Sequence, residues 1–158
     1  MQKKITPFLW FDDKAEEAAN FYVSLFDDSK IVGVSRYGDA GPGPKGSAMT
    51  VQFELAGQEF VALNGGPRFP FTEAVSFVVS CKSQHEIDKF WDALSEGGKP
   101  GQCGWLKDQY GLSWQIVPTR LAELFKDRNP KKSAAVMTAM LAMTKMDIAT
   151  LERASEQA

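Results

Sequence analysis

The chain has 158 residues, with 18 basic and 20 acidic side chains and a formal net charge of -2. This length predicts one domain, and the 44% hydrophobic and 24% charged residues exclude a disordered or collagen-like chain. The near-neutral charge offers no basic surface for nucleic acid, and no apolar run approaches the roughly 18 residues of a membrane-spanning helix.

The amino terminus and the cysteines indicate the compartment. Residues 1–4 are basic, but Thr6, Asp12 and Asp13 interrupt the apolar core that a signal peptide needs. The two cysteines allow one disulfide, yet a chain of this size can bury a core without one. The sequence therefore predicts a reduced, cytoplasmic protein.

The first part of the chain predicts strand, helix and strand. Residues 5–11 are almost wholly apolar, which favours a buried strand, and 14–26 show helical spacing after Asp13 as N-cap. Residues 30–37 predict a second strand. Gly and Pro fill six of the nine positions of 38–46, so this segment is a loop, either a hairpin connection or a lid over a pocket.

The middle of the chain continues in the same order. Ser83 and Glu86 form a capping-box pattern before a helix whose core stripe runs from Ile87 to Leu94. Alternating or apolar runs bounded by turn residues predict the remaining strands. They are expected at 49–55, 59–64, 74–81, 103–107 and 112–117.

The last forty residues predict helices. Thr119 is expected to cap a short helix after Pro118, and Asn129 with Pro130 begins a longer one. Its apolar stripe consists of Met137, Met140, Leu141, Thr144, Ile148 and Leu151. Methionine suits adaptable apolar contacts, so this stripe packs either within the chain or against a second copy.

A shift of 69 residues superimposes two segments of the chain. Between 5 and 30 it gives five identities: Phe8 with Phe77, Glu17 with Glu86, Phe21 with Phe90, Leu25 with Leu94, and Lys30 with Lys99. The shared element order predicts an α+β fold of two tandem βαβββ modules, which form a curved mixed sheet around a cleft and precede C-terminal helices. We expect a single domain over 1–158, with module one at 1–70, module two at 71–118 and the helical extension at 119–158.

Several motifs carry a family resemblance. They are Phe8-Leu-Trp-Phe-Asp12, Ala18-Ala-Asn-Phe-Tyr22, Leu63-Asn-Gly-Gly-Pro67, Cys103-Gly-Trp-Leu-Lys-Asp108, Tyr110-Gly-Leu-Ser-Trp-Gln-Ile-Val-Pro118 and Met146-Asp-Ile-Ala-Thr-Leu151. The chain resembles the vicinal-oxygen-chelate (glyoxalase, bleomycin-resistance, dioxygenase) superfamily, in its PhnB-like or demethylubiquinone methyltransferase-like branch. This resemblance extends over nearly the full chain and implies paired modules and a homodimer.

The resemblance also implies a divalent metal that acts as a Lewis acid, held by His, Gln or Glu. The implied ligand positions fall on Pro7, Ser76, Gln115 and either Ala62 or Asn64. Proline and alanine offer no side-chain ligand, and hydroxyls and amides are weak ligands for transition metals. We therefore expect no metal and no other cofactor.

No catalytic residue emerges from the sequence. His85, the one histidine, lies on the polar side of its helix and is expected to be a solvated surface residue. Cys103 is either an ordinary small residue or a thiol activated by Lys107. Ser76 has no histidine base in view, so a serine nucleophile is not indicated.

What remains is a pocket for a small organic molecule, bound by shape and a few hydrogen bonds. Strand alternation and the implied ligand positions select its lining. The predicted lining residues are Leu9, Phe11, Gln52, Asn64, Ser76, Trp105, Ser113 and Gln115.

Three functions follow as hypotheses. The first is metal-free binding of a small molecule, and the second is a metal-dependent enzyme acting on a small carbonyl or vicinal-oxygen compound. The third is a methyltransferase, which the label of the branch suggests. A doubly wound methyl-donor site wants a glycine-rich turn between strand and helix, but no helix pattern follows Gly65-Gly66-Pro67 and Gly97-Gly98 comes after a helix.

Overall fold

The computed structural model describes residues 3–158 as two units, one ending at Phe71 and the other beginning at Thr72. The first comprises β1 (Phe8–Phe11), α1 (Ala15–Leu25), β2 (Lys30–Arg36), β3 (Ala48–Leu55) and β4 (Gln58–Asn64). The second comprises β5 (Ser76–Cys81), α2 (Gln84–Ser95), β6 (Lys99–Pro100), β7 (Trp105–Lys107), β8 (Ser113–Pro118), α3 (Thr119–Phe125), α4 (Pro130–Leu141) and α5 (Ile148–Glu156). The predicted α+β class and the two βαβββ modules are confirmed.

Each unit contains one four-stranded mixed sheet with the same order. The orders are β1-β4-β3-β2 and β5-β8-β7-β6, and in both sheets the first strand pairs parallel to the last while the other pairs are antiparallel. The internal repeat is visible here, because Lys30 begins β2 and Lys99 begins β6. Among the described residues, no helix is long and apolar enough to cross a membrane.

Each sheet has two distinct faces, which are named here the helix face and the open face. In β3, Val51 and Phe53 are buried, and the Phe53 ring stacks on Tyr22 of α1 with ring centroids 6.4 Å apart. Gln52, between them, is exposed. The helix face therefore carries Val51 and Phe53, and the open face carries Gln52, because successive side chains alternate across a strand.

The amino end of α1 differs from the expectation that Asp13 caps it. Lys14 occupies the N-cap position without a side-chain cap bond. The amide of Asn64, at the end of β4, supplies the missing acceptor: its Oδ1 accepts from Ala15 N at 2.8 Å, and its Nδ2 donates to Ala48 O at 3.0 Å. One side chain thus ties α1, β3 and β4 together, which satisfies a helix-terminal donor from a distant part of the sequence.

The cap of α2 follows the predicted pattern. Ser83 Oγ accepts from Glu86 N at 3.2 Å. The Glu86 carboxylate accepts from Lys82 N at 3.1 Å, one residue before the position that a reciprocal capping box uses. Farther on, Pro118 and not Thr119 is the N-cap of α3, whereas Asn129 caps α4 as predicted, with its side chain accepting from Lys131 N.

The prediction of one long C-terminal helix is wrong, because the chain breaks between α4 and α5. Cys103 N donates to Met143 O and Gly104 N donates to Thr144 O, both at 2.8 Å, so these carbonyls bond to the loop before β7 and not to a helix. Asp147 then starts α5 by accepting from Thr150 N at 2.8 Å. Because Asp147 directly precedes α5 and caps it, the start of this helix is determined by the local sequence.

Gln84, the first residue of α2, holds the same connection from the other side. Its Nε2 donates to Met146 O at 3.0 Å, and its Oε1 accepts from Ile148 N at 2.9 Å. Lys145 Nζ lies 2.9 Å from Asp88 Oδ1. Of the apolar side chains here, Met143, Met146 and Leu151 are buried, whereas Met137 and Leu141 are exposed. The extension is therefore an integral part of the second unit.

The β7–β8 hairpin closes on a buried carboxylate. Asp108 is 3% exposed; its Oδ1 accepts from Tyr110 N at 2.8 Å and Leu112 N at 3.0 Å, and its Oδ2 accepts from Trp114 Nε1 at 2.9 Å. A carboxylate can accept several such bonds, and bonds to a charged group are stronger than neutral ones. Asp108 thus fixes both the turn and the position of the Trp114 indole.

We expect Asp108→Asn to lower the free energy of unfolding by about 2–3 kcal/mol, because the amide Nδ2 is a donor and would face the donors that the carboxylate now satisfies. Urea unfolding followed by tryptophan fluorescence measures this. Asp27→Asn, at an exposed position, serves as the control and should change the value by less than about 0.5 kcal/mol. Equal effects of the two substitutions would contradict this role of Asp108.

Candidate functional site

Four of the predicted site residues lie together on the open face of the second sheet. The register pairs Ser76 with Ser113 and Trp105 with Gln115, and directly paired residues share a face. Gln115 Nε2 donates to Ser76 Oγ at 2.9 Å, which links the edge strand β5 to its neighbour β8. Val78, the parallel partner of Gln115, is 56% exposed, so this face is open to solvent along β5.

Ser113 is the unusual member of this group. It is 1% exposed, and its hydroxyl is a fully buried side-chain oxygen without a hydrogen-bond partner among residues 3–158. Buried polar groups are nearly always paired, since an unpaired one keeps its desolvation penalty. This hydroxyl is therefore an anomaly that calls for a physical explanation.

A cavity of about 240 Å³ lies beside Ser113 at the β6 edge of the sheet. Its lining residues are Glu73, Lys99, Pro100, Gly101, Trp105, Leu106, Lys107 and Ser113. Lys107 is the cross-strand partner of both Lys99 and Ser113 and forms an ion pair with Glu73. The pKa of the Glu73 carboxyl is lowered, first by the hydrogen bond from Lys107 and then by its positive charge.

In the first unit, the predicted residues fall on different faces. Gln52 lies on the open face, in a cavity of about 300 Å³ that Val32, Glu54 and Glu59 also line. Leu9 pairs with Ala62 and Phe11 pairs with Asn64, and Ala62 pairs with Val51 of the helix face. Leu9 and Phe11, at 7% and 3% exposed, therefore lie on the face opposite Gln52.

Segment 38–46 is the hairpin connection between β2 and β3, one of the two predicted alternatives. It lines a third cavity of about 270 Å³ with Asp12, Asp13, Tyr37, Ser47, Asn64, Gly65 and Gly66.

The buried Tyr37 donates from its hydroxyl to Asn64 O at 2.6 Å, and a Cβ at Gly43 would lie 2.2 Å from the Tyr37 ring. Glycine is thus required where the loop crosses this ring. Sequence reasoning missed Tyr37, although its place just before a Gly/Pro segment was a signal.

The positions that the resemblance assigns to metal ligands do not fit a divalent transition metal. Pro7 and Ala62 have no donor atoms in their side chains, and Ser76 and Gln115 are neutral and bonded to each other. The amide of Asn64 is committed to Ala15 and Ala48. Within the described range 3–158, no three His, Cys, Asp or Glu side chains come together as a metal site.

The remaining reactive side chains differ in exposure. His85 is exposed, as expected. Cys81 is fully buried, and burial, followed by the nearby Glu86, raises the pKa of its thiol to about 12. Cys103 is partly exposed. Neither cysteine is in a disulfide.

Known proteins share this architecture. The sequence family described as 3-demethylubiquinone-9 3-methyltransferase matches residues 3–117. A PhnB protein from Bacillus cereus with the same description is 43% identical, at a TM-score of 0.69 over 74% of this chain and 100% of that chain. No curated protein matches the chain.

Two more distant structures share the fold alone. A protein from Pseudomonas aeruginosa is 20% identical, with a TM-score of 0.62 over 74% of this chain and 98% of that one. The genomically encoded fosfomycin resistance protein FosX from Listeria monocytogenes is 13% identical, with a TM-score of 0.58 over 80% of this chain and 99% of that one.

Tandem βαβββ modules with these neighbours define a protein of the vicinal-oxygen-chelate fold. Within that class, the chain belongs to the PhnB-like family described as 3-demethylubiquinone-9 3-methyltransferase. The family match ends at residue 117, so α3, α4 and α5 lie outside it. The match does not reach Met146–Leu151, to which the sequence resemblance was expected to extend.

The two thiols should react at very different rates. We expect a disulfide reagent at pH 8 to modify Cys103 in the native protein and Cys81 only after denaturation, since the buried Cys81 thiol is protonated at that pH. A thiol count before and after adding denaturant checks this, with Cys103→Ser as the control that should show no native reaction. Two rapidly reacting thiols in the native wild type would contradict the burial of Cys81.

Proposed function

We propose that the protein binds a small organic molecule, without a metal, on the open face of its second sheet. The observation that carries the proposal is the grouping of Ser76, Trp105, Ser113 and Gln115 on one face beside a cavity. Aromatic and aliphatic walls with a few oriented hydroxyl and amide groups are typical of small-molecule sites. The lining roles of Gln52, Asn64, Leu9 and Phe11 remain predictions.

The chemistry of the donor atoms supports binding over metal-assisted turnover. Hydroxyl and amide groups orient a ligand through hydrogen bonds but do not supply the charge that activates a carbonyl. FosX carries fosfomycin resistance in its name, but at 13% identity it transfers only a fold. No described observation favours the metal-dependent enzyme over binding.

The methyltransferase description of the family is a name for which the fold offers little support. Dinucleotide-type and related cofactor sites use a glycine-rich turn that leads from a parallel strand into a helix. Here Gly65 and Gly66 follow β4 and lead into turns before β5, and both sheets are mixed. We therefore place binding ahead of methyl transfer.

A homodimer in the cytoplasm completes the proposal. The exposed Met137 and Leu141 on α4 are consistent with a contact between copies. Light scattering at micromolar concentration tests the dimer, and a mass of 17.5 kDa would count against it.

Binding should be detectable with a library of small aromatic and aliphatic acids, amides and alcohols. We expect amide chemical shift changes centred on β7 and β8, and a several-fold weaker affinity in Gln115→Leu, which loses its bond to Ser76. Gln109→Leu, exposed on the adjoining hairpin, is the matched control. If no compound binds, or all shifts fall on helix-face residues, the proposed function is wrong.

Metals and a methyl donor should leave the protein unchanged. We expect no shift in Tm with nickel, manganese, iron or zinc, or with a sulfonium methyl donor, and no stoichiometric metal in the purified protein. A ligand present at a hundred times its Kd stabilises by about 2.7 kcal/mol, which raises Tm by several degrees. A shift of that size with a metal would favour the enzyme, and one with the methyl donor would favour the methyltransferase.

A further inference from the structure

Two lysines are neighbours at the β6 edge of the second sheet. Lys99 of β6 pairs directly with Lys107 of β7, so both side chains leave the sheet on the same face. Like charges in this position repel and destabilise a sheet. Glu73, in the turn before β5, relieves this by its ion pair with Lys107, and its carboxylate also interacts with the charge of Lys99.

The same cavity holds the unpartnered hydroxyl. Ser113 is the β8 partner of Lys107 and therefore shares its face, and it lines the cavity together with both lysines. Ser113 is 1% exposed, so its hydroxyl oxygen has lost contact with water. This oxygen has no hydrogen-bond partner within residues 3–158. The Ser113 hydroxyl and the two lysine ammonium groups are all hydrogen-bond donors that line one cavity. The charged acceptor in the lining is the carboxylate of Glu73.

We propose that this cavity binds the oxyanion of a small organic acid, a carboxylate or a phosphate, between Lys99, Lys107 and Ser113. When no acid is bound, the Glu73 carboxylate pairs with Lys107, and the acid displaces it from that lysine. The inference rests on the proposed function and names the chemical class of its ligand.

Charge and exposure favour this exchange. The cavity lining has two cations and one anion, so an incoming anion meets a net positive site. In the Glu73–Lys107 pair, the two side chains are 60% and 41% exposed, and exposed ion pairs are weakly held. Glu73 can therefore leave without unfolding the strands, and Ser113 gains the acceptor that it lacks.

Trp105 and the size of the cavity restrict the rest of the ligand. Trp105 lines the wall, and its indole offers an apolar surface for a flat carbon skeleton. The volume of about 240 Å³ is below the roughly 300–1,000 Å³ of sites for drug-sized molecules. The ligand is therefore a compact acid with one planar or aliphatic group.

Titration calorimetry of the full chain tests this with four probes of similar size: benzoate, phenyl phosphate, benzamide and benzylamine. We expect saturable binding of one or both anions, at least tenfold weaker binding of benzamide and none of benzylamine. The stronger of benzoate and phenyl phosphate identifies the oxyanion. Raising the salt concentration should weaken anion binding, because Lys99 is exposed and Lys107 is partly exposed.

The variants separate this cavity from the rest of the surface. Lys107→Gln and Lys99→Gln should each weaken anion binding about tenfold, and Ser113→Ala should weaken it several-fold without loss of stability. Glu73→Gln should tighten it several-fold, because the internal competitor is gone. Lys45→Gln and Asp39→Asn remove the exposed Lys45–Asp39 pair of the first unit and should leave the affinity unchanged.

Three outcomes would overturn the oxyanion site. They are benzamide binding as tightly as benzoate, anion binding that is insensitive to both Lys107→Gln and Ser113→Ala, and no anion binding to either the wild type or Glu73→Gln. The first leaves the proposed function intact, since a neutral molecule still binds. The second and third outcomes are distinguished from a failure of the proposed function by the wider compound library. That library includes neutral compounds, and its chemical shift changes report binding anywhere on the open face.

Discussion

The carboxylate of Asp108 is the interaction on which the second unit's site depends. It is buried, and its two oxygens satisfy two backbone donors of a turn and the indole of Trp114. Those bonds set how β7 returns into β8, and hence which residues become cross-strand partners. Since side chains alternate across a strand, a slip of one residue between β7 and β8 would place Trp105 and Ser113 on opposite faces of the sheet. The buried carboxylate of Asp108 therefore helps to decide which side chains form the site, because it fixes the β7–β8 register.

The two units fix the start of their first helix in different ways. Asn64 joins the start of α1 to the backbone of β3, and its own carbonyl accepts from Tyr37. In the second unit, Ser83 caps the start of α2 locally. Gln84, in the first turn of that helix, bonds to Met146 O and Ile148 N of the C-terminal extension. The two modules thus share a topology but fix their helices by different means, and this difference frees Gln84 to anchor the extension.

The sequence predicted those features that depend on neighbours along the chain. The βαβββ modules follow from element patterns along the sequence, and the Ser83 cap of α2 and the Asn129–Pro130 start of α4 are local patterns; each of these is confirmed. The features that sequence reasoning missed depend on partners far apart. The cap of α1 comes from β4, and the break after α4 comes from backbone donors of the loop before β7.

The faces of β1 could not be assigned for a related reason. Its residues are apolar on both sides, so no alternation shows which ones lie with Gln52, and only the pairing with β4 settles that. The candidate site was half foreseen in the same sense. Ser76 and Gln115 are selected by the ligand positions that the family resemblance implies, and Ser113 is added by strand alternation. Glu73 and Lys99, in contrast, become neighbours of Lys107 only once the β6–β7 pairing and the Glu73–Lys107 ion pair are known.

The loop between β2 and β3 has a consequence for how this protein can diversify. Tyr37 N donates to Ser47 O and Gly46 N donates to Tyr37 O, so the loop is closed at its base like a ring. Sequence changes within this closed loop do not reach the hydrogen bonds between the strands, although Gly41 and Gly43 both lie against the aromatic ring of Tyr37 and are constrained by it. Members of the family can therefore lengthen, shorten or recharge this wall of the cavity beside Asp12 and Asp13 while the sheet that carries it stays the same.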